Sequence, residues 1–512
     1  MKNDSVSSNK RLALNLSASF ISFLVTFGIS FFLSPYIVEK VGVDAYGFVG
    51  LANNFVSFAS LITIALNVLA GRFITVKIYE NNYEEANRYF TSVLTANVII
   101  SCVMTVALAI IWIFLDLLIN IPVNLFVDVK ILFAALFFEC ILNTAGSVFS
   151  VSTFATNKLY LNSLRTIESS IGRAVILIVL FVFFAPNVCY LGITAVLMAV
   201  YCMVFNIHYT RKLLPFIKVR KKYFNFGYIK VLVTSGVWAL IIRLGQLLSD
   251  GFDLLISNIL IDPIAMGVLS LAKTVPMLIS AITCILVGVF SPNFTILYAR
   301  KENERLLREV RRAMKLMGII VNIPIIVLIV CGKDFFRLWQ PTQNAGQLQL
   351  LSVLTCCGLI VSGGINCLYD IFTVVNKIKE NAIAVLVGGA ASILITFILL
   401  MTTDLGIYAI AAVSSAVNII RNIVFTAPFG AKCLGKKWYA FYPDIIKPVI
   451  YDAVCIAIGI LILLPIPCTG WFMLIVKGGI VSIIAVWIGA FLFINKEERT
   501  LIRSKIRKVI RH

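Results

Sequence analysis

Histidine is almost absent from this sequence, and its scarcity removes one large class of functional sites. His208 and His512 are the only two, so a metal site built on imidazole ligands is not predicted. The twelve cysteines lie mostly inside apolar runs, where a thiol behaves as a small hydrophobe, and no C-x-x-C spacing occurs. We therefore predict neither a metal site nor a cofactor.

Acidic residues are also few, 24 against 44 lysines and arginines, and no D-x-D is present. One stretch, GAKCLGKK from Gly430, contains the G-x-x-x-x-G-K of a phosphate-binding loop. Lys437 stands where that motif requires Ser or Thr, and an apolar span precedes it instead of a strand. The sequence therefore predicts no nucleotide-binding machinery.

Long apolar runs dominate instead: 60% of residues are hydrophobic and the mean hydropathy is +0.98, whereas a soluble domain is about 45–50% apolar. A bilayer core of roughly 30 Å requires roughly 20 apolar residues in a helix. The first run is too long for a signal peptide and is interpreted as a span. Fourteen membrane helices are predicted, at 12–34, 46–70, 90–115, 131–155, 170–186, 188–207, 231–260, 264–290, 314–331, 348–369, 382–402, 405–428, 445–466 and 471–494.

The positive charge lies on one side of these spans. With the N-terminus inside, the inside segments hold 37 of the 44 lysines and arginines. Four lie outside, Lys40, Lys130, Lys333 and Arg337, and three are assigned to spans, Arg243, Lys273 and Lys477. This asymmetry follows the positive-inside rule and places both termini on the cytoplasmic side. It also explains the net charge of +20 without nucleic acid.

An internal repeat is indicated by four pairs of similar segments. TNKLYLN at Asn157 matches VNKIKEN at Asn376, and at almost the same spacing the segments around Gly47 and Tyr79 match others around Gly267 and Tyr298. A fourth pair joins YLGITAV at Gly192 to DLGIYAI at Gly406. A spacing that spans an even number of helices gives both halves the same topology, as in parallel transporter repeats.

The chain resembles the polysaccharide-transporter branch, the Wzx-type flippases, of the multidrug/oligosaccharidyl-lipid/polysaccharide (MOP) exporter superfamily. The resemblance covers essentially the whole chain and rests on SPYIVEKVGVDAYGFVGL, on GRFITVKIYENNYEEANRYF and on two extra C-terminal helices. It implies a MATE-like fold with a central cavity that opens alternately to each side. The implied cargo is a polyprenyl-pyrophosphate-linked oligosaccharide, a repeat unit of O-antigen, capsule or exopolysaccharide, moved from the inner to the outer leaflet.

The predicted fold is an all-α polytopic membrane protein of two six-helix lobes and two further helices. The domains are an N-lobe at 1–210, a basic cytoplasmic connector at 211–230, a C-lobe at 231–430, the last two spans at 431–495, and a basic tail at 496–512. The tail is amphipathic and is predicted to lie on the anionic inner leaflet; a solvated tail is the alternative. The resemblance implies the bacterial cytoplasmic membrane as the location.

Charges inside the bilayer are costly and indicate function. On the seventh predicted span, at about 100° per residue, Arg243, Gln246, Asp250, Asp253 and Ser257 fall within a sector of roughly 80°. Lys273, on the eighth span, is expected near the depth of Arg243. We predict that both cations bind the pyrophosphate of the cargo, because Arg offers a fork of donors and Lys a point charge. The alternative is an internal pair in which Asp250 or Asp253 neutralises one of them.

Further polar residues are predicted to line the cavity and bind sugar hydroxyls: Asn53, Asn54, Glu139, Asn143, Asn366 and Asp370. Hydrogen bonding between helices is an equally good interpretation of this set. Glu139 and Asp370 are also candidates for proton coupling. Because no nucleotide-binding machinery is predicted, the driving force for transport is predicted to be an H⁺ or Na⁺ gradient or the gradient of the lipid itself.

Three other functions remain open at this stage. A lipid II-type flippase would share the architecture and a basic cavity. A MATE-type drug/cation antiporter is disfavoured by the absence of acids from the first span. A membrane enzyme, such as a polymerase or glycosyltransferase, is disfavoured by the short outside segments, so the chain is predicted not to be an enzyme. Its expected partners are the lipid-linked oligosaccharide, membrane lipids and the polymerase or glycosyltransferases of the same pathway, and no nucleic acid.

Overall fold

The computed structural model describes residues 2–463 and 465–493, and every regular element in this part of the chain is helical. The helices are α1 Lys2–Val41, α2 Val43–Tyr79, α3 Tyr83–Ile113, α4 Leu115–Leu118, α5 Phe126–Gly146, α6 Val151–Ala155, α7 Leu159–Phe183, α8 Cys189–Leu213, α9 Phe226–Asp250, α10 Asp253–Leu260, α11 Pro263–Ala272, α12 Thr274–Gly288, α13 Ser291–Ala299, α14 Asn303–Trp339, α15 Ala345–Val374, α16 Ile378–Thr402, α17 Ile407–Arg421, α18 Ala427–Cys433, α19 Tyr442–Leu463 and α20 Trp471–Phe493. A π-helical turn, Asn422–Thr426, joins α17 to α18. The predicted basic tail at 496–512 lies outside the described residues.

Among the described residues, thirteen helical segments are long and apolar enough to cross a membrane, so the chain is a multi-pass membrane protein. They coincide with thirteen of the fourteen predicted spans. The remaining predicted span, 131–155, corresponds to α5, a 3-10 turn and the short α6. The all-helical fold class predicted from apolar length is confirmed.

Helix lengths reproduce the internal repeat. α2 has 37 residues, and the α11–α13 segment Pro263–Ala299, its counterpart in the second half, also has 37. α7 and α16 have 25 residues each, and an Asn-Lys patch directly precedes both. These two pairs of segments therefore have equal lengths, as the predicted repeat requires.

The repeated Asn-Lys patch is a helix-terminating device. Asn157 and Asn376 adopt left-handed backbone conformations, with φ of 53° and 56°. In both loops the N–H of the following lysine donates to the carbonyl five residues earlier, at 2.8 Å. This is the Schellman arrangement, in which asparagine is one of the few residues that tolerate the left-handed position. The sequence therefore repeats the patch because both halves need the same helix stop.

The predicted equivalence of Gly192 and Gly406 is wrong. Gly192 lies inside α8, where a Cβ atom would come within 2.8 Å of Ala135 Cβ on α5, so it permits close helix packing. Gly406 instead precedes α17 and has a φ of +54°, a conformation that favours glycine. The two glycines have different structural roles, and their similar surroundings in the sequence are misleading.

The chain divides into two compact units, Met1–Ser270 and the part from Leu271 onward. The predicted limits of 1–210 and 231–430 follow the repeat, whereas these units follow packing. In the first unit α9 packs on α2 so closely that a Cβ atom on Gly236 would lie 2.1 Å from the carbonyl oxygen of Ala65. The close crossing of α2 and α9 thus requires glycine at position 236.

In the second unit, α19 and α20 pack on α14 through an apolar cluster that includes Ile326, Tyr451 and Val481. Lys477, predicted within a span, is 6% exposed, and its Nζ lies 2.8 Å from Asp334 Oδ2 on α14. Arg337 lies 3.4 Å from the other Asp334 oxygen. The charge of Lys477 is therefore neutralised within the unit, and it fastens α20 to α14.

Replacing Lys477 by Met is expected to lower the free energy of unfolding by roughly 1–3 kcal/mol, because it leaves Asp334 with a poorer partner. Removal of one member of a fully buried pair costs about 3–5 kcal/mol, but Arg337 still partly neutralises Asp334. Thermal unfolding of the purified protein checks this. Lys333→Met, an exposed neighbour on α14, is the matched control. Equal melting temperatures for the two variants would contradict the anchoring role.

Candidate functional site

Arg243 lies on α9 and is exposed, and it has no carboxylate neighbour in the described chain. Its Nη1 donates to Oε1 of Gln246 at 3.4 Å. This is its one polar contact in the part of the chain that the structure describes, and no carboxylate lies within ion-pair distance there. The alternative in which Asp250 or Asp253 neutralises Arg243 is therefore not realised. A cation without a counter-charge in a membrane helix is expected to face a water-filled cavity or a ligand, and it marks a candidate site for an anionic ligand.

The polar sector of the seventh span was predicted for one continuous helix. In the structure this span is divided into two helices. α9 ends at Asp250 and α10 begins at Asp253. The side-chain amide of Asn54 donates to the freed carbonyl of Gly251 at 2.8 Å, which satisfies a backbone group that lipid could not. Beyond the break, Asp253 and Ser257 are buried, at 5% and 0% exposed.

The stripe consequently separates into two parts. Arg243, Gln246 and Asp250 are exposed on α9, whereas Asp253 at the start of α10 is buried. Only the α9 part offers accessible polar groups to a ligand. The predicted polar sector is therefore divided by a helix break and by burial, neither of which a helical wheel shows.

The asparagine pair on α2 also separates. Asn53 is exposed, and its amide donates to the carbonyl of Val49 one turn earlier, at 2.8 Å. Asn54 is half-buried, and its side-chain amide donates to the carbonyl of Gly251 at the helix break. Asn53 therefore remains the better candidate for a ligand contact, while Asn54 has a structural role.

Lys273 sits at a second helix break, between α11 and α12, and is half-buried. Pro276 causes the break, since proline has no N–H to donate to the carbonyl four residues earlier. That carbonyl, of Ala272, accepts instead from the Ser352 hydroxyl at 2.7 Å. Both predicted cargo cations thus lie in candidate membrane spans whose helices are interrupted, a feature of transporter binding sites.

Glu139 and Asn143 lie near each other on α5 and belong to a small charged cluster. The Asn143 side chain hydrogen-bonds to the Glu139 carboxyl, and Arg173 on α7 interacts electrostatically with it. Arg173 Nη2 also donates to the carbonyl of Leu191 at 3.2 Å. Glu139 thus has an internal counter-charge, which supports a structural interpretation beside the predicted sugar-binding and proton-coupling roles.

Asn366 and Asp370 are half-buried on α15. The Asp370 carboxyl has Ser291 as a polar neighbour, and its Oδ2 is buried without a hydrogen-bond partner among the described residues. Ser362, which the sequence places on the same face, is 4% exposed. The roles of Asn366 and Asp370 in cargo binding or coupling stay predictions.

Arg173 and Arg421 were among the cations counted with the inside segments, although they fall within predicted spans. Arg421 ends α17, and its Nη2 donates to Tyr369 Oη at 2.9 Å and to Asn418 Oδ1 at 3.1 Å. No carboxylate lies within ion-pair distance of it in the described chain. Both arginines fall inside predicted spans, 170–186 and 405–428, so the sequence alone could have revealed them.

Comparisons with solved structures identify the fold. The structure of the lipid II flippase MurJ in an inward closed conformation superposes with a TM-score of 0.67 at 13% identity, over 94% of this chain and 100% of that chain. An inward-facing MATE-family multidrug resistance transporter of the MOP superfamily gives a TM-score of 0.63 at 14% identity, over 83% and 98%. The fold is that of the MOP-superfamily transporters. Identities this low show the fold and not the cargo.

The same fold occurs in a Pyrococcus furiosus MOP-superfamily transporter, whose structure was described as having a binding pocket of reversed polarity. The TM-score is 0.58 at 14% identity, over 82% of this chain and 95% of that chain. At the sequence level, the chain is 29% identical over 504 residues to the uncharacterized membrane protein EpsK of Bacillus subtilis strain 168, which covers 97% of this chain and 98% of the relative. No protein-family profile matches the chain.

Proposed function

We propose that this protein is a flippase that moves a polyprenyl-pyrophosphate-linked oligosaccharide from the inner to the outer leaflet by alternating access. The observation that carries the proposal is the exposed guanidinium of Arg243, which lacks a carboxylate neighbour in the described chain. A diphosphate is the complementary anion, since its oxygens accept the parallel N–H groups of arginine.

In this proposal, Arg243 and Lys273 bind the diphosphate, and accessible polar groups bind sugar hydroxyls. Gln246 and Asp250 share the accessible part of α9 with Arg243, and Asn53 is exposed on α2. Further candidates, as the sequence predicts, are Asn143, Asn366 and Asp370. The polyprenyl tail remains in the bilayer, so the protein need not bury it.

Helix number favours a lipid-linked cargo over a drug. The MurJ structure covers 94% of this chain, whereas the compared MATE-like structures cover 82–83%. The first span also lacks acidic residues between 12 and 34. A lipid II-type flippase is therefore the second candidate function, and it uses the same diphosphate chemistry.

We propose that the protein lies in the bacterial inner membrane, and the charge asymmetry supports a cytoplasmic N-terminus, C-terminus and basic connector. The inner-to-outer direction of transport follows from the resemblance to Wzx-type flippases. The polymerase or glycosyltransferases of the same pathway are proposed partners, because they would make or consume this cargo. Coupling to H⁺ or Na⁺ is also proposed, since no step in the scheme consumes a nucleotide. The scheme breaks no covalent bond of the cargo.

Reconstitution tests the proposal. Purified protein in liposomes should make a fluorescent polyprenyl-pyrophosphate oligosaccharide inaccessible to an external quencher faster than in protein-free liposomes. Lipid II in the same assay separates the two candidate cargoes. Failure to move either lipid, with uptake of a cationic drug against a proton gradient, would replace the proposal with antiport.

A further inference from the structure

A carboxyl group is buried on α19, outside the proposed cargo site. Asp452 is 2% exposed, and Asn322, opposite it on α14, is 0% exposed. Asn322 Nδ2 donates to Asp452 Oδ2 at 2.6 Å. The pair lies between α14 and α19, which also share the apolar cluster around Tyr451 and Ile326. Neither residue is a candidate in the sequence analysis.

The hydrogen bonds of this pair are incomplete in a specific way. Oδ1 of Asp452 and Oδ1 of Asn322 are both buried, and neither has a hydrogen-bond donor in the described part of the chain. Asn322 also reaches the carbonyl of Ile360, at 3.5 Å, but this contact again uses its amide N–H. An ionised carboxylate with a single neutral donor would be strongly disfavoured in such an environment.

The helices packed against α19 bring no counter-charge to Asp452. On α14 there is no charged residue between Lys315 and Lys333, and on α15 the one charged residue is Asp370, near the far end of the helix. On α20, within Trp471–Phe493, the one charged residue is Lys477, which is paired with Asp334.

The charged groups on α19 itself lie toward its start. Asp444 is about 12 Å from Asp452 along the helix axis, and Arg311 is 3.5 Å from the Asp444 carboxyl. Lys447 is exposed, five positions before Asp452. Neither Arg311 nor Lys447 forms an ion pair with Asp452 among the described residues.

The other titratable neighbours on α19 are neutral groups. Tyr451 donates its hydroxyl to the carbonyl of Ala485 at 2.9 Å, and Cys455 is a buried thiol. Asp452 therefore faces apolar side chains and one amide.

We propose that Asp452 is a proton-binding site. A proton on Oδ1 of Asp452 allows this oxygen to donate a hydrogen bond to Oδ1 of Asn322. The pair then exchanges two hydrogen bonds, as a carboxylic acid and a primary amide can. While the proton is bound, the acid–amide pair holds α19 on α14. Loss of the proton leaves a carboxylate beside the Asn322 oxygen and weakens this contact. The site does not depend on the proposed flippase function.

Infrared spectroscopy of the full-length protein in lipid nanodiscs tests the proposal. At neutral pH the wild-type protein should show a protonated-carboxyl C=O band that shifts in deuterium oxide and disappears in Asp452→Asn. Asp334→Asn is the matched control and should retain the band, since Asp334 is ion-paired. A spectrum of Asp452→Asn identical to that of the wild type would overturn the proposal.

Thermal stability as a function of pH gives a second readout. Because the folded state holds a proton that the unfolded chain releases, wild-type stability should fall as pH rises, until the buried acid ionises. Asp452→Asn should lack this component, and an unchanged slope would overturn the proposal. If Asp452→Asn does not fold, Asn322→Ala replaces it: removal of the acceptor must shift the carboxyl band, and an unshifted band refutes the pair.

Discussion

Replacing Arg243 by Gln is expected to reduce movement of the lipid-linked oligosaccharide by roughly ten- to a hundredfold at low cargo concentration. The estimate follows from a charge-assisted hydrogen bond worth about 1.5–3 kcal/mol, with about 1.4 kcal/mol for each factor of ten. The substitution should cost little stability, because Arg243 is exposed and makes one contact of 3.4 Å. The quenching assay in liposomes measures the loss.

Two further variants make this result specific. Arg243→Lys keeps the charge but not the fork of donors, so its rate should lie between those of the wild type and Arg243→Gln. Arg305→Gln, at an exposed arginine near the start of α14, should transport normally. Equal rates for Arg243→Gln and Arg305→Gln would remove Arg243 from the site.

Replacing Gly236 by Val is expected to lower the melting temperature clearly and to reduce the yield of folded protein. A Cβ atom there would lie 2.1 Å from the carbonyl oxygen of Ala65, a backbone atom of α2 that no side-chain rotation can move away. Overpacking of a well-packed interface costs about 1–3 kcal/mol, and the two helices must separate along their crossing. Thermal unfolding of the purified variant measures the effect.

Gly28→Ala is the matched control for this prediction. Gly28 lies inside α1, and an added Cβ would meet nothing within 4 Å. Alanine also favours the helix by up to about 1 kcal/mol over glycine. A Gly236→Val protein as stable as Gly28→Ala would show that α2 and α9 do not pack as closely as described.

Much of the fold could be predicted because it depends on one-dimensional features of the sequence. Apolar length determines where helices cross a bilayer, and the duplicated Asn157 and Asn376 stop equivalent helices. The pair Gly192 and Gly406 shows the limit of this approach. The two glycines have similar neighbouring residues in the sequence. One is needed for close helix packing, and the other adopts a positive φ.

The site was less predictable because it depends on backbone breaks and on contacts between distant segments. The turn at Gly251 separates Asp253 from the exposed residues of α9, and its stabilisation by Asn54 joins residues 197 positions apart. The buried pair of Asn322 and Asp452 spans 130 positions. A helical wheel of one span contains no information about such partners.

Anion recognition is tested by comparing two lipids that carry the same oligosaccharide, one linked through a diphosphate and the other through an uncharged linker. Both are followed by external quenching in liposomes containing the wild-type protein. We expect rapid protein-dependent movement of the diphosphate-linked lipid and little movement of the uncharged one. Equal movement of both would contradict anion recognition at Arg243, and movement of neither would contradict the flippase itself.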